Sequence, residues 1–380
     1  MVDYLINKHP QLLVILILLI FVENPKTIWF ISQAQALNKS NGSPTNTTAA
    51  SAVLVFGDST VDPGNNNYLP TIFKSNFLPY GRDLANKKPT GRFCNGRLTT
   101  DFLASYVGLK DYVPPYLDPS LSMEELMTGV SFASAGSGYD PITPQVGNVL
   151  PVLKQLEYFK EYKKRLESSI GKQETEHHIN KAIFVISAGT NDFIVNYFTL
   201  PIRRKIYTTL SSYDIFLMEH VKTFLQDLWG EGARRIVVGG LPPMGCLPGV
   251  ITLNSPNEFQ PRGCIDKYNS AARDYNKLLQ IQLFSMQSSL ANFGARIAYV
   301  DLYGPVMELI REPTKFGLKE IFKGCCGTGY LEVTFLCNPL SYVCPDANKY
   351  MFWDSIHPTE KTYSYVFDTL HPILDFLLKP

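Results

Sequence analysis

The sequence predicts an α/β fold in which a parallel β-sheet is covered by helices on both faces. From residue 52 onwards, short apolar segments alternate with longer stretches of helical spacing. The apolar segments are continuous runs, which is typical of strands that are buried on both faces. Repeated strand–helix–strand order requires right-handed crossovers and makes the sheet parallel. No further polar linker follows residue 50, so we predict one domain over residues 51–380.

About five segments are predicted to form this central sheet. The predicted strands are 52–56, 130–133, 181–187, 235–238 and 296–300. Helical spacing is found between them over 100–107, 152–168, 212–229 and 266–291. In sheets of this kind the active site lies beyond the carboxyl ends of the strands. Polar motifs that directly follow the first and third strands are therefore candidates for function.

The N-terminal residues 1–36 have the pattern of a secretory signal peptide. The run LLVILILLIFV over residues 12–22 is too short to span a bilayer as a helix. Ala34-Gln35-Ala36 offers a cleavage site of small residues. An uncleaved signal anchor is the alternative, because Trp29-Phe30-Ile31 extends the apolar character. We expect a secreted protein with no stable membrane anchor after cleavage.

Residues 37–50 form a polar linker that contains three sequons for N-glycosylation, at Asn38, Asn41 and Asn46. Behind a signal peptide, we expect at least one of them to be modified. Charge argues against a polyanionic partner, since 35 basic residues against 34 acidic ones leave a net charge of +1. Binding to nucleic acid or to an anionic membrane favours clustered cationic charge. We therefore predict no nucleic-acid partner.

The cysteines agree with an oxidising compartment. There are seven, at Cys94, Cys246, Cys264, Cys325, Cys326, Cys337 and Cys344. We predict one disulfide between Cys246 and Cys264, and others that join Cys325 or Cys326 to Cys337 or Cys344. Cys94 would then remain free. A zinc site is the competing interpretation, but adjacent cysteines fit zinc-ligand spacing badly.

Three short motifs supply the parts of an acyl-transfer hydrolase. They are Phe56-Gly57-Asp58-Ser59, Gly189-Thr190-Asn191-Asp192 and Asp354-Ser355-Ile356-His357. Ser59 follows a strand and a glycine, which suits a nucleophile presented at the sheet edge. The alternative is that this turn only caps a helix. Of the six histidines, His357 and His371 have an acid three residues before them and a proline after them, and His371 lies in the predicted terminal helix.

The other groups follow from the same chemistry. Asp354 can accept the Nδ1–H of His357 and leave Nε2 for the serine hydroxyl. An oxyanion hole needs neutral donors, which the amide of Asn191 and the backbone N–H groups of Ser59 and of Gly136 or Gly138 can supply. A turn or helix cap is the alternative role for Asn191.

Several other activities lack their motifs. The chain has no G-x-S-x-G nucleophile elbow with both glycines, no Walker loop, no HExxH and no plausible dinucleotide fingerprint. Asp58 and Asp62 suggest a metal site, but nothing completes a ligand set. We therefore predict an enzyme that requires neither a cofactor nor a metal.

These motifs carry a resemblance to the plant GDSL esterase/lipase family, within the SGNH hydrolases. FGDSTVDPGNNN, GVSFASAGSG, SAGTNDF and FWDSIHPTE resemble the family's conserved blocks in the family's order. The segments PYGRD, PTGRFCNGR, GARRIVVGGLPPMGCLP and KGCCGTGY between them also fit. The match runs from about residue 52 to the C-terminus.

The resemblance implies a three-layer α/β/α, flavodoxin-like fold. It also implies a triad of Ser59, Asp354 and His357, with Gly136 and Asn191 as oxyanion donors. Three residues depart from the family pattern: Thr60 replaces Leu, Ser131 replaces Asn and Cys94 replaces Ser. The change at 131 puts the backbone near Gly136 in question, with Gly138 as the fallback donor.

The leading hypothesis is a secreted serine hydrolase that cleaves carboxylic esters of lipids or other acyl groups through an acyl-enzyme. The expected location is extracellular, in the cell wall or apoplast, and the substrate is a small or polymeric acyl ester. One alternative is a deacetylase or acyltransferase that acts on cell-wall polysaccharide or cutin-type polyester. Another is a catalytically silent binding protein on the same fold. Acyl chain length depends on pocket shape, which the sequence does not give.

Overall fold

Four parallel strands form the central sheet, in the order β1-β2-β3-β4. They are β1 (Val53–Gly57), β2 (Ile183–Ser187), β3 (Arg235–Gly239) and β4 (Arg296–Val300). In the middle of the sheet Val55 lies opposite Val185, which lies opposite Val237. Because the spatial order equals the chain order, each connection is a long crossover that carries helices. The predicted parallel sheet is confirmed.

The computed structural model describes residues 50–255 and 262–379, which belong to one compact unit. The predicted signal peptide at 1–36 lies outside the described residues. So do the sequons at Asn38, Asn41 and Asn46, and all of the predicted linker except Ala50. Over the described part of the chain, no helix combines the length and the apolar character that crossing a bilayer needs.

Residues 130–133 do not form the fifth strand that the sequence predicts. They run beside β1, and Ser131 makes two isolated parallel bridges, one to Val55 and one to Pro115. The amide of Phe132 donates to the carbonyl of Val55 at 2.7 Å. The side-chain amide of Asn65 donates hydrogen bonds to the carbonyl oxygens of Ser131 and Ala133, each at 2.8 Å. The pairing with β1 stops at this bridge because the amide of Gly57, which a continued ladder would use, donates to Oε1 of Gln155 at 2.8 Å, and the main sheet has four strands.

Helices cover the sheet. They are α1 (Thr99–Tyr106), α2 (Met123–Met127), α3 (Val152–Ile170), α4 (Lys172–Lys181), α5 (Pro201–Ile206), α6 (Leu210–Gly230), α7 (Pro248–Asn254), α8 (Asp266–Leu290), α9 (Tyr303–Arg311), α10 (Glu360–Asp368) and α11 (His371–Leu378). The four predicted helices correspond to α1, α3, α6 and α8. A π-helix, Asp192–Thr199, follows β2.

The two faces of the sheet pack against different helices, as a three-layer fold requires. On one face, Phe56 contacts the rings of Phe159 on α3 and Phe224 on α6. On the other, Val53 and Val55 belong to a smaller core with residues of α1 and α11. Since β1 is fully buried, its continuous apolar sequence is explained by burial on both sides.

A second sheet was not predicted. It pairs β5 (Glu320–Gly324) in parallel with β6 (Tyr350–Phe352). These strands have five and three residues and β5 is mostly half-buried, so neither produces a strong apolar run. The pairing continues beyond β5, where the amides of Cys325 and Cys326 donate to the carbonyls of Phe352 and Trp353. This sheet matters because Asp354 follows β6 directly.

Three disulfides link Cys246 to Cys264, Cys325 to Cys344 and Cys326 to Cys337. Cys94 is free and buried. The last two disulfides close one segment, residues 325–344, which we call the disulfide loop. The choice between the adjacent cysteines 325 and 326 is therefore made by the fold, since local spacing does not distinguish them.

Candidate active site

Ser59 lies in a tight turn at the carboxyl end of β1. Gly57 has φ +140°, and a Cβ at this position would collide with the carbonyl oxygen of Ser187. A glycine therefore lets the end of β1 pass directly against β2. The amide of Asp58 donates to the same carbonyl at 2.9 Å. The next helical turn starts only at Asn65, so the turn at Ser59 caps no helix.

Asp58 holds this turn from within. Its carboxylate accepts the backbone N–H of Thr60 at 3.0 Å and the Thr60 hydroxyl at 2.8 Å. The Thr60 hydroxyl also lies 3.0 Å from the hydroxyl of Ser187 on β2. Burial raises the pKa of Asp58 from its ordinary value. Hydrogen bonds therefore fix the backbone on both sides of Ser59, at Asp58 and at Thr60.

The imidazole of His357 lies between Ser59 and Asp354. Its Nε2 atom is 2.8 Å from the Ser59 Oγ, and its Nδ1 atom is 2.8 Å from Oδ2 of Asp354. The ring packs on that of Phe93, with centroids 4.8 Å apart. These three polar side chains are all buried. Residues 298 positions apart thus form one chain of hydrogen bonds.

Asp354 is fully buried, and each of its oxygens accepts hydrogen bonds. Oδ1 accepts the backbone N–H groups of Ile356 at 2.8 Å and of His357 at 2.7 Å. Oδ2 accepts the hydroxyl of Tyr80 at 2.8 Å as well as the imidazole. Sequence reasoning missed Tyr80. It lies in the PYGRD segment, 274 residues before Asp354, so no local motif links the two residues.

The two candidate oxyanion donors lie on adjacent segments. The side-chain amide of Asn191 donates one of its hydrogens to the carbonyl of Ser137 at 2.9 Å and keeps a second one. Gly136 sits next to Ser137 in a turn with φ +88°. The carboxylate of Asp62 accepts the preceding amide, that of Ala135, at 2.9 Å. Asn191 and Gly136 are thereby held in a fixed mutual position.

Residues 53–370 match the model of the family described as GDSL-like lipase/acylhydrolase. The chain belongs to this family. A relative named GDSL esterase/lipase At5g45960, from Arabidopsis thaliana, is 60% identical over 342 residues, covering 90% of this chain and 91% of the relative. GDSL esterase/lipase At2g31550 of the same plant is 45% identical over 324 residues, or 85% and 89% of the two chains. GDSL esterase/lipase At2g30310, also from that plant, is 46% identical over 83% of this chain and 87% of its own length.

In this GDSL-family chain, Gly138 serves a different purpose from Gly136. A Cβ at Gly138 would collide with the carboxylate of Asp192. That carboxylate accepts the amide of Tyr139 at 2.8 Å, the amide of Asp140 at 3.1 Å and the hydroxyl of Thr143. Burial raises the pKa of Asp192 to about 7. The lack of a side chain at Gly138 is thus explained by the close packing of its loop on Asp192. Of the two glycines, Gly136 is therefore the favoured candidate for the backbone oxyanion donor.

The departure from the family pattern at Ser131 leaves the loop intact. The Ser131 hydroxyl donates to the carbonyl of Val61 at 2.9 Å and accepts the amide of Ala133 at 3.2 Å. It therefore joins the segment after β1 to the segment before Gly136. A further departure, Cys94, accepts the amide of Gly96 through its Sγ at 3.3 Å, and a serine hydroxyl can make the same kind of bond.

The two aspartates that suggested a metal both accept hydrogen bonds from groups of the protein. Asp62 accepts the amides of Gly64 at 2.8 Å and Asn65 at 2.7 Å in addition to that of Ala135. Burial raises its pKa to about 6. Within residues 50–255 and 262–379, no group of three or more His, Cys, Asp or Glu side chains is placed to hold a metal ion.

An apolar cavity of about 120 Å³ lies between the second face of the sheet and helices α10 and α11. Its walls include Val185 and Val237 from the centre of the sheet. At the end nearer the site it is bounded by Thr60, Thr190 and Pro358. Each of these is the sequence neighbour of a candidate site residue. The core on this face of the sheet is therefore incompletely filled close to the turn that carries Ser59.

Proposed function

We propose that the protein is a secreted serine hydrolase that cleaves carboxylic esters through an acyl-enzyme. The observation that carries this proposal is the chain of hydrogen bonds from Asp354 through His357 to Ser59, with both links to the imidazole at 2.8 Å. Membership of the GDSL-like lipase/acylhydrolase family supports hydrolysis of ester bonds. The relatives that are named esterase/lipase support the same reaction class.

In the first half of the reaction, the Oγ of Ser59 attacks the ester carbonyl carbon while its proton passes to Nε2 of His357. Asp354 stabilises the imidazolium that forms. The carbonyl oxygen becomes an oxyanion, which the amide of Asn191 and the backbone N–H of Gly136 are proposed to bind. The bond to the alcohol then breaks. The alcohol leaves with the proton from His357, and the acyl group stays on Ser59.

In the second half, His357 takes a proton from a water molecule, whose oxygen attacks the acyl carbon. The second oxyanion is bound by the same two donors, the amide of Asn191 and the backbone N–H of Gly136. When it collapses, the bond to Ser59 breaks and the serine recovers its proton from the imidazolium. The products are the free acid and the unchanged enzyme. No step requires a group beyond those of the described residues and water.

Secretion is the second part of the proposal. Three disulfides in the described residues support passage through an oxidising compartment. The sequence pattern of residues 1–36 supports a cleaved signal peptide. Mass spectrometry of the secreted protein tests both the cleavage site and the occupancy of Asn38, Asn41 and Asn46. A mature N-terminus near residue 37 is the expected result.

The deciding experiment measures hydrolysis of p-nitrophenyl esters, from acetate to palmitate, by the wild-type protein, Ser59→Ala and His357→Ala. We expect turnover by the wild type and a fall in kcat of at least about a thousandfold in each variant. An organophosphonate serine probe should label the wild type and leave Ser59→Ala unlabelled. A folded, disulfide-bonded wild type that neither turns over these esters nor reacts with the probe would overturn the proposal.

A further inference from the structure

The hydroxyl of Tyr80 stands between the disulfide loop and the candidate triad. It donates to Oδ2 of Asp354 at 2.8 Å across 274 residues of sequence. It also accepts the backbone N–H of Thr334 at 2.9 Å. A phenol has one proton to donate. Because the bond from Thr334 occupies a lone pair of the oxygen, it leaves the phenolic proton free for the carboxylate.

The ring that carries this hydroxyl is immobilised. Tyr80 is fully buried, and its ring lies edge-on to those of Phe77, Phe93 and Trp353. Burial and the neighbouring carboxylate of Asp354 raise the pKa of Tyr80 well above its ordinary value. The hydroxyl therefore stays neutral and remains a donor.

Thr334 is held in an unusual conformation to make its contact. Three non-glycine residues of the described chain have positive φ: Lys87, Asn148 and Thr334. Only Thr334, with φ +52°, is β-branched, and such residues rarely adopt this region. The carbonyl of Thr334 accepts the amide of Cys337 at 2.9 Å, and the Cys326–Cys337 disulfide ties that residue to the end of β5. A constrained loop therefore imposes the conformation that aims this N–H at Tyr80.

We infer that Tyr80 is a positioning residue for Asp354, oriented in turn by the backbone N–H of Thr334 in the disulfide loop. This inference rests on the proposed function. The loop also contacts the aspartate's neighbour directly, since the carbonyl of Glu332 accepts the amide of Ser355 at 2.8 Å. The disulfides of this region thus hold the acid of the triad in place, besides stabilising the fold.

The hydrogen bond from Tyr80 to Asp354 is expected to contribute to catalysis mainly in the transition state. The negative charge of Asp354 matters most when His357 becomes an imidazolium, and a carboxylate that can rotate stabilises that charge less well. An interaction that strengthens only in the transition state changes kcat and leaves KM unchanged. Loss of a residue that merely supports the fold would lower the melting temperature and leave kcat unchanged.

The test compares Tyr80→Phe with Tyr162→Phe. Tyr162 is an equally buried tyrosine on α3 whose hydroxyl donates to the carbonyl of Leu126 at 2.9 Å. Tyr80→Phe removes two buried hydrogen bonds and Tyr162→Phe removes one, so the melting temperature should fall in both variants and further in Tyr80→Phe. We expect kcat to fall about 10- to 100-fold in Tyr80→Phe only, the effect of one hydrogen bond to a charged group, with KM unchanged. Equal kcat in the two variants would overturn the inference.

The link to the loop is tested by a double-mutant cycle. Cys326→Ser/Cys337→Ser should lower kcat in the wild-type background and have little further effect in Tyr80→Phe. If the fold-decreases in kcat of the two variants multiply in the combined variant, the disulfide acts independently of Tyr80. If the serine variant does not fold, Glu332→Gln replaces it in the cycle, because that carboxylate accepts the amides of Thr328 and Tyr330 within the same loop.

Phosphonate labelling separates this inference from the proposed function. A wild type that neither turns over esters nor reacts with the probe means that the proposed function itself is wrong. A wild type that does both, beside a Tyr80→Phe variant with undiminished kcat and labelling rate, contradicts only the positioning role.

Discussion

The side-chain nitrogen of Asn191 lies 2.9 Å from the carbonyl oxygen of Ser137, which precedes it by 54 residues. This bond joins the end of β2 to the loop that contains Gly136. Both candidate oxyanion donors are therefore oriented before a substrate arrives. Preorganised donors of this kind cost no rearrangement when charge develops.

Asn191→Ala should lower kcat about 10²- to 10³-fold with a small change in KM, because a donor to the oxyanion acts mainly in the transition state. Steady-state kinetics on a p-nitrophenyl ester measure both constants. The matched control is Asn254→Ala on α7, whose amide likewise donates to a main-chain carbonyl, that of Val250, at 2.8 Å. Similar kcat values for the two variants would argue that Asn191 only closes a turn.

Gly138→Ala should destabilise the fold by about 1–3 kcal/mol, since its Cβ meets the carboxylate of Asp192 in a packed interior. Chemical denaturation measures the free energy of unfolding. Gly230→Ala is the control, because a Cβ at Gly230 meets nothing within 4 Å. This control should be neutral or slightly stabilising. An equally neutral Gly138→Ala would mean that the loop does not pack on Asp192 as described.

The buried aspartates predict a pH dependence of stability. Burial raises the pKa of Asp192 from 3.8 to about 7 and that of Asp62 from 3.8 to about 6. At a pH between 3.8 and the raised pKa, each of these carboxyls is ionised in the unfolded chain and still protonated in the folded chain. The contribution of both groups to stability is therefore complete below about pH 4 and is lost as pH rises through 6 to 7.

Urea denaturation from pH 4 to pH 8 tests this expectation. The variant Asp192→Asn should show a shallower decline in the free energy of unfolding with rising pH than the wild type, because one of the titrating groups is gone. Asp111→Asn, at an exposed aspartate, should retain the wild-type slope. Parallel curves for Asp192→Asn and the wild type would contradict the assignment of the slope to this carboxyl.

The apolar cavity predicts a stabilising substitution. Val185→Ile adds one methylene beside about 120 Å³ of unfilled space and should raise the free energy of unfolding by about 0.8 kcal/mol. Val53→Ile adds the same group at a fully buried strand position of the same face, where overpacking should cost about 1–3 kcal/mol. Thermal and urea unfolding of both variants measure the difference, and a destabilised Val185→Ile would indicate that the cavity cannot accept the methylene.

Local sequence predicted the central sheet well, because parallel strands buried on both faces must be continuously apolar. The same signal failed for residues 130–133, where the side chain of Gln155 accepts the amide of Gly57 that a continued strand pairing would use. It also failed for β5 and β6, which are short and partly exposed. Apolar runs therefore reveal strands of the core and miss those at its margin.

The sequence by itself determined the family, the order of the elements and the candidates Ser59, Asn191, Asp354 and His357, since each lies in a short motif whose residue types state their chemistry. Only the tertiary structure decided which of Cys325 and Cys326 pairs with Cys344, and that Gly138 is needed for close approach to Asp192. It alone brought Tyr80 to the carboxylate of Asp354. These contacts join residues far apart in the chain, and their formation depends on how the whole core packs, which no local pattern records.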